Sequence, residues 1–221
     1  MELELLAATK NKGKAKEIER LCAGSPLPIK VYSLTDFNID CDAPETGETF
    51  LENSIEKSLF YSRMVKDVYT AADDSGLVVA ALGGRPGVHS ARYAAGNDQP
   101  KDDEKNIEKL LRELKDVAVE NRGAKFVTAI TLSRNGSVME SFCGEVEGII
   151  LTEKRGAGGF GYDPVFFYPP LQKTFAELSA EEKNKISHRA RAFQKLKDFL
   201  VTCLRRQETL SRKGFLTSQS F

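Results

Sequence analysis

The sequence has no excess of charge of either sign: 32 Lys and Arg balance 32 Asp and Glu over 221 residues. That balance argues against non-specific binding to nucleic-acid polymers or anionic membranes, so local basic clusters read as sites and not as a global field. No apolar run approaches the length of a membrane span. The start, Met1-Glu2-Leu3-Glu4, is acidic and lacks the basic n-region of a signal peptide. Four cysteines, Cys22, Cys41, Cys143 and Cys203, are scattered without a Cys-x-x-Cys pair. Free thiols in a reducing cytoplasm are the simplest account. Only two histidines occur, His89 and His188, without His-Glu-x-x-His spacing, which argues against a zinc hydrolase. There is no internal repeat and no Ser/Pro-rich linker. The length and the 41% hydrophobic content suit one large domain or two small lobes with a sizeable core.

What is present reads as alternating strands and helices, then a hairpin. Leu3–Ala8 and 29–33 predict short buried strands, with a helix over 14–22 between them. Residues 34–48 read as loop. Thr49-x-x-Glu52 fits a capping box, and Leu51, Ile55 and Leu59 follow at helical spacing, which predicts a helix over about 50–65. Strands are expected at 70–72 and 77–80, a turn at Gly83–Gly87 and a helix over 102–114. Residues 124–133 and 137–147 predict an antiparallel pair across Arg134-Asn135-Gly136. A glycine loop at 156–161 and a strand at 165–168 come next. Ser187 is expected to cap a last helix reaching about Arg205. The sum predicts a mixed sheet in an α/β fold. One domain spans 1–205, and a polar tail, expected to lack order, covers 206–221.

The most informative stretch is Ala71-Ala72-Asp73-Asp74-Ser75-Gly76, between two apolar runs. Two adjacent carboxylates beside a buried strand are costly to desolvate without a cation or hydrogen-bond donors. They are candidates for a hard-metal or general-base site, although Asp-Ser-Gly is also ordinary turn chemistry. Thr9-Lys10-Asn11-Lys12-Gly13-Lys14 lies between a strand and a helix. Lysines there oppose the helix dipole, and a bound phosphate chain would explain them as well as a solvated loop does. The stretch is not a Walker A motif, because Ala15 stands where Ser or Thr would hold magnesium. Glu45 precedes the capped helix, on which Asn53 and Lys57 share a face. Glu52 is better explained as a capping partner. Gly84-x-Pro86-Gly87-x-His89-Ser90-Ala91-Arg92 places an arginine after turn glycines, suited to a polyanion, while His89 reads equally as a surface residue. Gly156-Ala157-Gly158-Gly159-Phe160-Gly161-Tyr162-Asp163 interleaves glycines with two aromatics able to flank a flat base. Lys183, His188 and Arg189 close the series as donors for a carbonyl or phosphate oxygen.

Together, and in this order, these segments resemble the inosine triphosphate pyrophosphatase family over about residues 5–200. Ala-Thr-x-Asn-x-x-Lys, Glu-Thr-Gly-x-Thr-Phe-x-Glu-Asn, Ala-Asp-Asp-Ser-Gly-Leu, Gly-Gly-Phe-Gly-Tyr-Asp-Pro and Ile-Ser-His-Arg all occur without a gap. The resemblance implies an elongated mixed α/β fold, two lobes around a central cleft, in a homodimer. It implies hydrolysis of deaminated purine nucleoside triphosphates (ITP, dITP, XTP) to the monophosphate and pyrophosphate, with Mg2+ as cofactor. By the same resemblance Thr9, Lys10, Asn11, Lys12, Gly13, Lys14 and Lys57 hold phosphates. Glu45 and Asp74 serve the metal. Asp74 accepts the proton of the attacking water, with Asp73 beside it, and Ser75 and Arg92 contact substrate. Phe160, Gly161, Tyr162 and Asp163 pack on the nucleoside, and Lys183, His188 and Arg189 complete the pocket. Other readings are a nucleotide pyrophosphatase of different base preference, or a nucleotide sensor without catalysis. The three intact acids count against the sensor, and the missing Walker A disfavours a kinase.

Overall fold

The computed structural model describes residues 3–23, 28–95 and 101–217, with side chains as far as 203. Seven strands form one mixed sheet in the order β2-β1-β3-β4-β5-β6-β7. Strand β1 (Leu3–Ala7) runs parallel to β2 (Ile29–Tyr32) on one side and to β3 (Tyr69–Val79) on the other. The remaining pairs, through β4 (Gly123–Arg134), β5 (Ser137–Ile150), β6 (Phe166–Tyr168) and β7 (Lys173–Thr174), are antiparallel. The expected β4–β5 hairpin turns at Asn135 and Gly136, both with positive φ, as a tight connection requires.

Helices cover both faces. On one face Ile18 and Cys22 of α1 (Lys12–Ala23) and Ala192, Phe193, Leu196 and Leu200 of α5 (His188–Thr217) pack on Leu5, Ala71, Ile130 and Leu132. On the other, Tyr61 of α2 (Phe50–Ser62) packs with Leu6, Leu34 and Ala72. A third core gathers at the far ends of the long strands. There Ile107 and Leu110 of α3 (Asp103–Glu113) meet Leu77, Val79, Phe126, Val146 and Phe166. A short helix α4 (Ala180–Ile186) precedes α5. Its seven residues carry too little periodicity to register, and the Ser179-x-x-Glu182 capping box is the sequence signal that announces it.

Strand β3 ties these cores together. Ala71 and Ala72 belong to the two cores at one end, and Leu77 and Val79 to the third. Residues 73–75 lie between. The expected break at the acidic pair is absent: β3 is continuous and pairs with β4 from Thr70↔Ser133 to Val79↔Ala124. Ten consecutive partners on β4 keep Asp-Asp-Ser-Gly extended, which overrides its turn chemistry. The connection from β1 to β2 carries α1 on one face, while the return to β3 carries α2 on the other. The carboxyl end of β1 is therefore a topological switch point, where open α/β sheets form a crevice. The last helix does not stop near Arg205 but runs to Thr217, into the tail expected to lack order. No glycine or proline falls between 205 and 213 to end it.

Helix α2 carries its expected capping box, with Thr49 accepting from the Glu52 amide at 3.1 Å. The apolar positions that mark it as a helix are not its inner face. Ser54, Ser58 and Ser62 are buried against the sheet, and Leu51 is 40% exposed. Ser54 Oγ lies 2.7 Å from Thr131 Oγ1, so small hydroxyls let the helix sit close.

Gly144 of β5 underlies the start of α5. A Cβ there would run into the His188 carbonyl oxygen and lie 2.7 Å from the Ala192 nitrogen. Gly144→Ala should therefore lower the unfolding free energy by about 1–3 kcal/mol through overpacking, read from the urea midpoint by circular dichroism.

Candidate active site

A cleft of about 790 Å3 opens at the switch point, lined from the β1–α1 loop, the loop before α2, the middle of β3, the glycine loop and the α4–α5 junction. Adjacent side chains of a strand point to opposite faces. Asp73 therefore meets α1 and α5, and Asp74 meets α2. Lys14 Nζ stands 3.1 Å from Asp73 Oδ2, and Arg189 Nε donates to the same oxygen at 3.2 Å. On the other face Lys57 Nζ lies 3.1 Å from Asp74 Oδ1 and 3.0 Å from Glu45 Oε1. Asn53 Nδ2 donates to Asp74 Oδ2 at 3.2 Å.

These contacts set the protonation states. Burial alone would raise the Asp73 pKa, but Lys14, Arg189 and Lys57 outweigh it and hold the carboxyl well below the usual carboxylate range. Burial works on Lys14 in the opposite sense and lowers its pKa despite Asp73. For Lys57 burial is outweighed by Asp74 and Glu45, and its pKa is raised. One oxygen of Asp73, Oδ1, is buried and accepts no hydrogen bond.

A second ion network adjoins the first. Glu17 of α1 pairs with Arg189 Nη1 and, at 2.9 Å, with Lys183 Nζ. Lys183 also donates to Asp163 Oδ2 at 2.6 Å. That oxygen accepts the Phe160 amide at 2.9 Å, which closes the turn of the glycine loop. The Phe160 ring sits with Lys183 Nζ 4.6 Å from its centroid, a cation–π arrangement. Burial raises the Asp163 pKa against the pull of Lys183. In Glu17 burial is overcome by Arg189 and Lys183, and the pKa falls. His188 stacks on Phe126 at 4.9 Å and its Nδ1 has no partner. Burial, then the charges of Arg189 and Lys183, push its pKa well below the ordinary histidine value.

The structure brings most of the residues singled out from the sequence to this cleft, in unequal roles. Thr9, Lys10, Asn11, Lys12, Lys14, Glu45, Lys57, Asp73, Asp74, Ser75, Arg92, Phe160, Gly161, Tyr162, Asp163, Lys183, His188 and Arg189 line it. Asn11 also caps α1, its Oδ1 accepting the amides of Gly13 at 2.9 Å and Lys14 at 3.2 Å. Gly13 itself faces the Phe160 ring, and a Cβ there would come within 2.8 Å of it. Its hydrogen atom makes room for that ring. Lys10 is drawn to the loop before α2, bonding the Asp40 carbonyl at 2.6 Å and Asp42 at 3.1 Å. Tyr162 is a core residue whose hydroxyl donates to the Ser90 carbonyl at 2.8 Å. The Gly161 amide donates to Asp103 at 2.7 Å. Arg92 stands exposed at the rim.

Sequence reasoning missed Glu17 and Phe126. Glu17 lies three residues after Lys14 and shares its helix face. That spacing was a readable signal, whereas nothing local announces Phe126 as the platform under His188.

Comparison with known proteins follows the same pattern. The sequence model of the Ham1 family matches residues 5–199. The dITP/XTP pyrophosphatase of Geobacillus kaustophilus is 52% identical over 196 residues, covering 87% of this chain and 92% of its own. That of Bacillus subtilis is 46% identical, covering 89% and 96%. Among solved structures, the Staphylococcus aureus Ham1 protein superposes with a TM-score of 0.77 at 42% identity, covering 90% of this chain and 98% of its own. A HAM1 protein from Coxiella burnetii gives 0.78 at 39%, covering 90% and 99%.

The buried charges make stability depend on pH. The folded pKa of His188 is depressed, so on acidification the unfolded chain takes a proton near pH 6.5 that the folded chain refuses. The depressed folded values of Asp73 and Glu17 give stability that is full above about pH 4 and is lost as pH falls through those values. Both effects run in one direction but in separate windows, while the raised folded value of Asp163 works against them, adding stability as pH falls through it. Unfolding free energy should decline from about pH 6.5 downward, by at most about 1.4 kcal/mol per pH unit from His188. In His188→Phe that decline should vanish while the loss below about pH 4 persists, as urea titrations from about pH 3 to about pH 8 would show.

Proposed function

The chain belongs to the Ham1 family, and on that premise and the chemistry of the cleft we propose that it hydrolyses deaminated purine nucleoside triphosphates. ITP, dITP and XTP are converted to the monophosphate and pyrophosphate, which keeps these bases out of DNA and RNA. The observation that carries the reading is the pair of neighbouring carboxylates, Asp73 and Asp74, met by Lys14 and Arg189 on one face and Lys57 on the other. Acids for water activation and cations for a triphosphate thus stand in one cleft, within reach of the Phe160 ring.

Magnesium is the proposed cofactor, and the residues fit it. Glu45 and Asp74 already converge on one cation, the Lys57 ammonium, through hard oxygen donors. Among the described residues no group of three His, Cys, Asp or Glu forms a metal cage. Magnesium is commonly bound by one or two carboxylates together with substrate phosphates, so two donors suffice. Bound there, the ion would neutralise phosphate charge and acidify a water.

The chain's own groups supply the rest. Asp74 accepts the proton of a water whose oxygen attacks the α-phosphorus. The bond to the oxygen bridging α and β breaks, and pyrophosphate departs with that electron pair. Asp73, held ionised by Lys14 and Arg189, orients the site. Lys14, Lys57, Lys12 and Arg92 offset the negative charge of the triphosphate and of the leaving group. Phe160 covers the base. Donors at Arg189 and His188 suit the 6-oxo group of hypoxanthine or xanthine and leave the adenine amino group without an acceptor.

A homodimer in the cytoplasm is proposed as well. The partly exposed apolar face of α2 at Leu51, and exposed Met64, Val138 and Met139, are surfaces of the kind that a second copy covers. Among the described residues no helix is long and apolar enough to cross a membrane.

With magnesium, ITP and XTP should yield pyrophosphate, resolved from orthophosphate by phosphorus NMR, with little from ATP or GTP. Orthophosphate as the first product would overturn the reading. Asp74→Asn should lower kcat by about a thousandfold with the urea midpoint preserved. Near-normal turnover in that variant would remove Asp74 from its role as base.

A further inference from the structure

Residues 39–49, which carry Glu45, have no regular secondary structure. Among the described residues, no backbone amide from 40 to 48 donates to a backbone carbonyl. The segment is held by the side chains of the helix that follows it. Working back along α2, the Tyr61 hydroxyl accepts the Ala43 amide at 3.1 Å and donates to the Cys41 carbonyl at 3.2 Å. Lys57 takes Glu45 itself at 3.0 Å. Glu56 accepts the Thr46 amide at 2.8 Å and its hydroxyl at 2.7 Å. Asn53 Oδ1 accepts the Gly47 amide at 2.8 Å, and Glu52 accepts the amides of Glu48 and Thr49 at 2.9 Å each.

The order is strictly reversed: loop positions 43, 45, 46, 47 and 48 meet helix positions 61, 57, 56, 53 and 52. Those helix residues fall on one side of the helix, at spacings of about three and four residues. The strand of loop lies flat because position 47 is glycine, where a Cβ would come 2.5 Å from the Glu52 Cβ. We propose that residues 41–49 form a strap buttoned onto α2, and that Tyr61 and Glu56 are positioning residues that hold Glu45 at the metal position beside Asp74. Neither touches the reacting atoms. They act by replacing the missing backbone ladder with side-chain acceptors, which fixes the donor geometry in advance of binding. The inference rests on the metal reading of Glu45 given above.

The test uses the full chain and three readouts: hydrogen exchange, metal binding and turnover. Hydrogen exchange is followed by mass spectrometry on peptides covering 41–49, and Mn2+ alone is titrated by electron paramagnetic resonance. In Tyr61→Phe and Glu56→Ala, exchange over 43–48 should quicken by about tenfold, with the β3 and β4 peptides unchanged. Mn2+ affinity should fall by about tenfold, and in turnover the half-saturating metal concentration should rise while kcat at saturating metal holds. Unchanged exchange in both variants overturns the strap. Quicker exchange with unchanged Mn2+ affinity overturns the positioning role, provided Glu45→Gln weakens Mn2+ binding. If Glu45→Gln leaves Mn2+ binding intact, the metal reading fails, and with it the role assigned to Tyr61 and Glu56.

Discussion

Asp73 and Asp74 sit side by side in a buried strand, and their charges can be kept there only because cations from three other elements reach them. Lys14 comes from α1, Lys57 from α2 and Arg189 from α5. Since neighbouring strand residues point to opposite faces, no single helix could serve both acids. The fold therefore needs helices on both sides of β3 at the same level, and the sheet order provides them. Buried ion pairs of this kind contribute little net stability, because desolvation offsets most of the attraction. Their value here is geometric: they set two carboxylates and several cations around one cleft.

The same need explains why the cores are divided. Apolar clusters pack at either end of β3, and Asp73, Asp74 and Ser75 lie between them. Thr128 of β4 donates to the Asp74 carbonyl at 3.3 Å, and Gly144 of β5 lets α5 approach. A polar stretch through a strand would be unfavourable inside a single apolar core. Placed between cores, it is served by the cleft and by the ion network of Glu17, Lys183, Arg189 and Asp163. The proposed chemistry uses that stretch, while the apolar ends hold its geometry.

Helix α2 shows how much one element can carry. Its N-terminal turn is capped by Thr49, its inner face is hydroxyl-lined, and Asn53 and Lys57 reach Asp74. Its remaining polar side holds the segment bearing Glu45. An amphipathic reading of Leu51, Ile55 and Leu59 finds the helix but not the direction it faces. Only the packing of Ser54 and Ser58 against β4 decides that.

Much of this was legible in the sequence because the signals are local. The capping box, the β4–β5 hairpin and the alternation of strands and helices depend on near neighbours, and the acidic pair and the glycine loop stand out by composition. The family follows from five motifs in order. What the sequence did not settle is what long-range pairing decides. Asp-Asp-Ser-Gly is turn chemistry by itself and became strand because ten residues of β4 pair alongside it. Gly13 reads as a phosphate contact and also clears space for Phe160, while Lys10, read the same way, reaches the Asp40 carbonyl and Asp42. The spacing from Lys14 puts Glu17 on the helix face toward the cleft, but its burial is decided only when Lys183 and Arg189, from the far end of the chain, fold over it. Propensity and spacing are properties of the chain near a residue, whereas desolvation and ion pairing depend on which distant groups arrive, and that is fixed only by the tertiary structure.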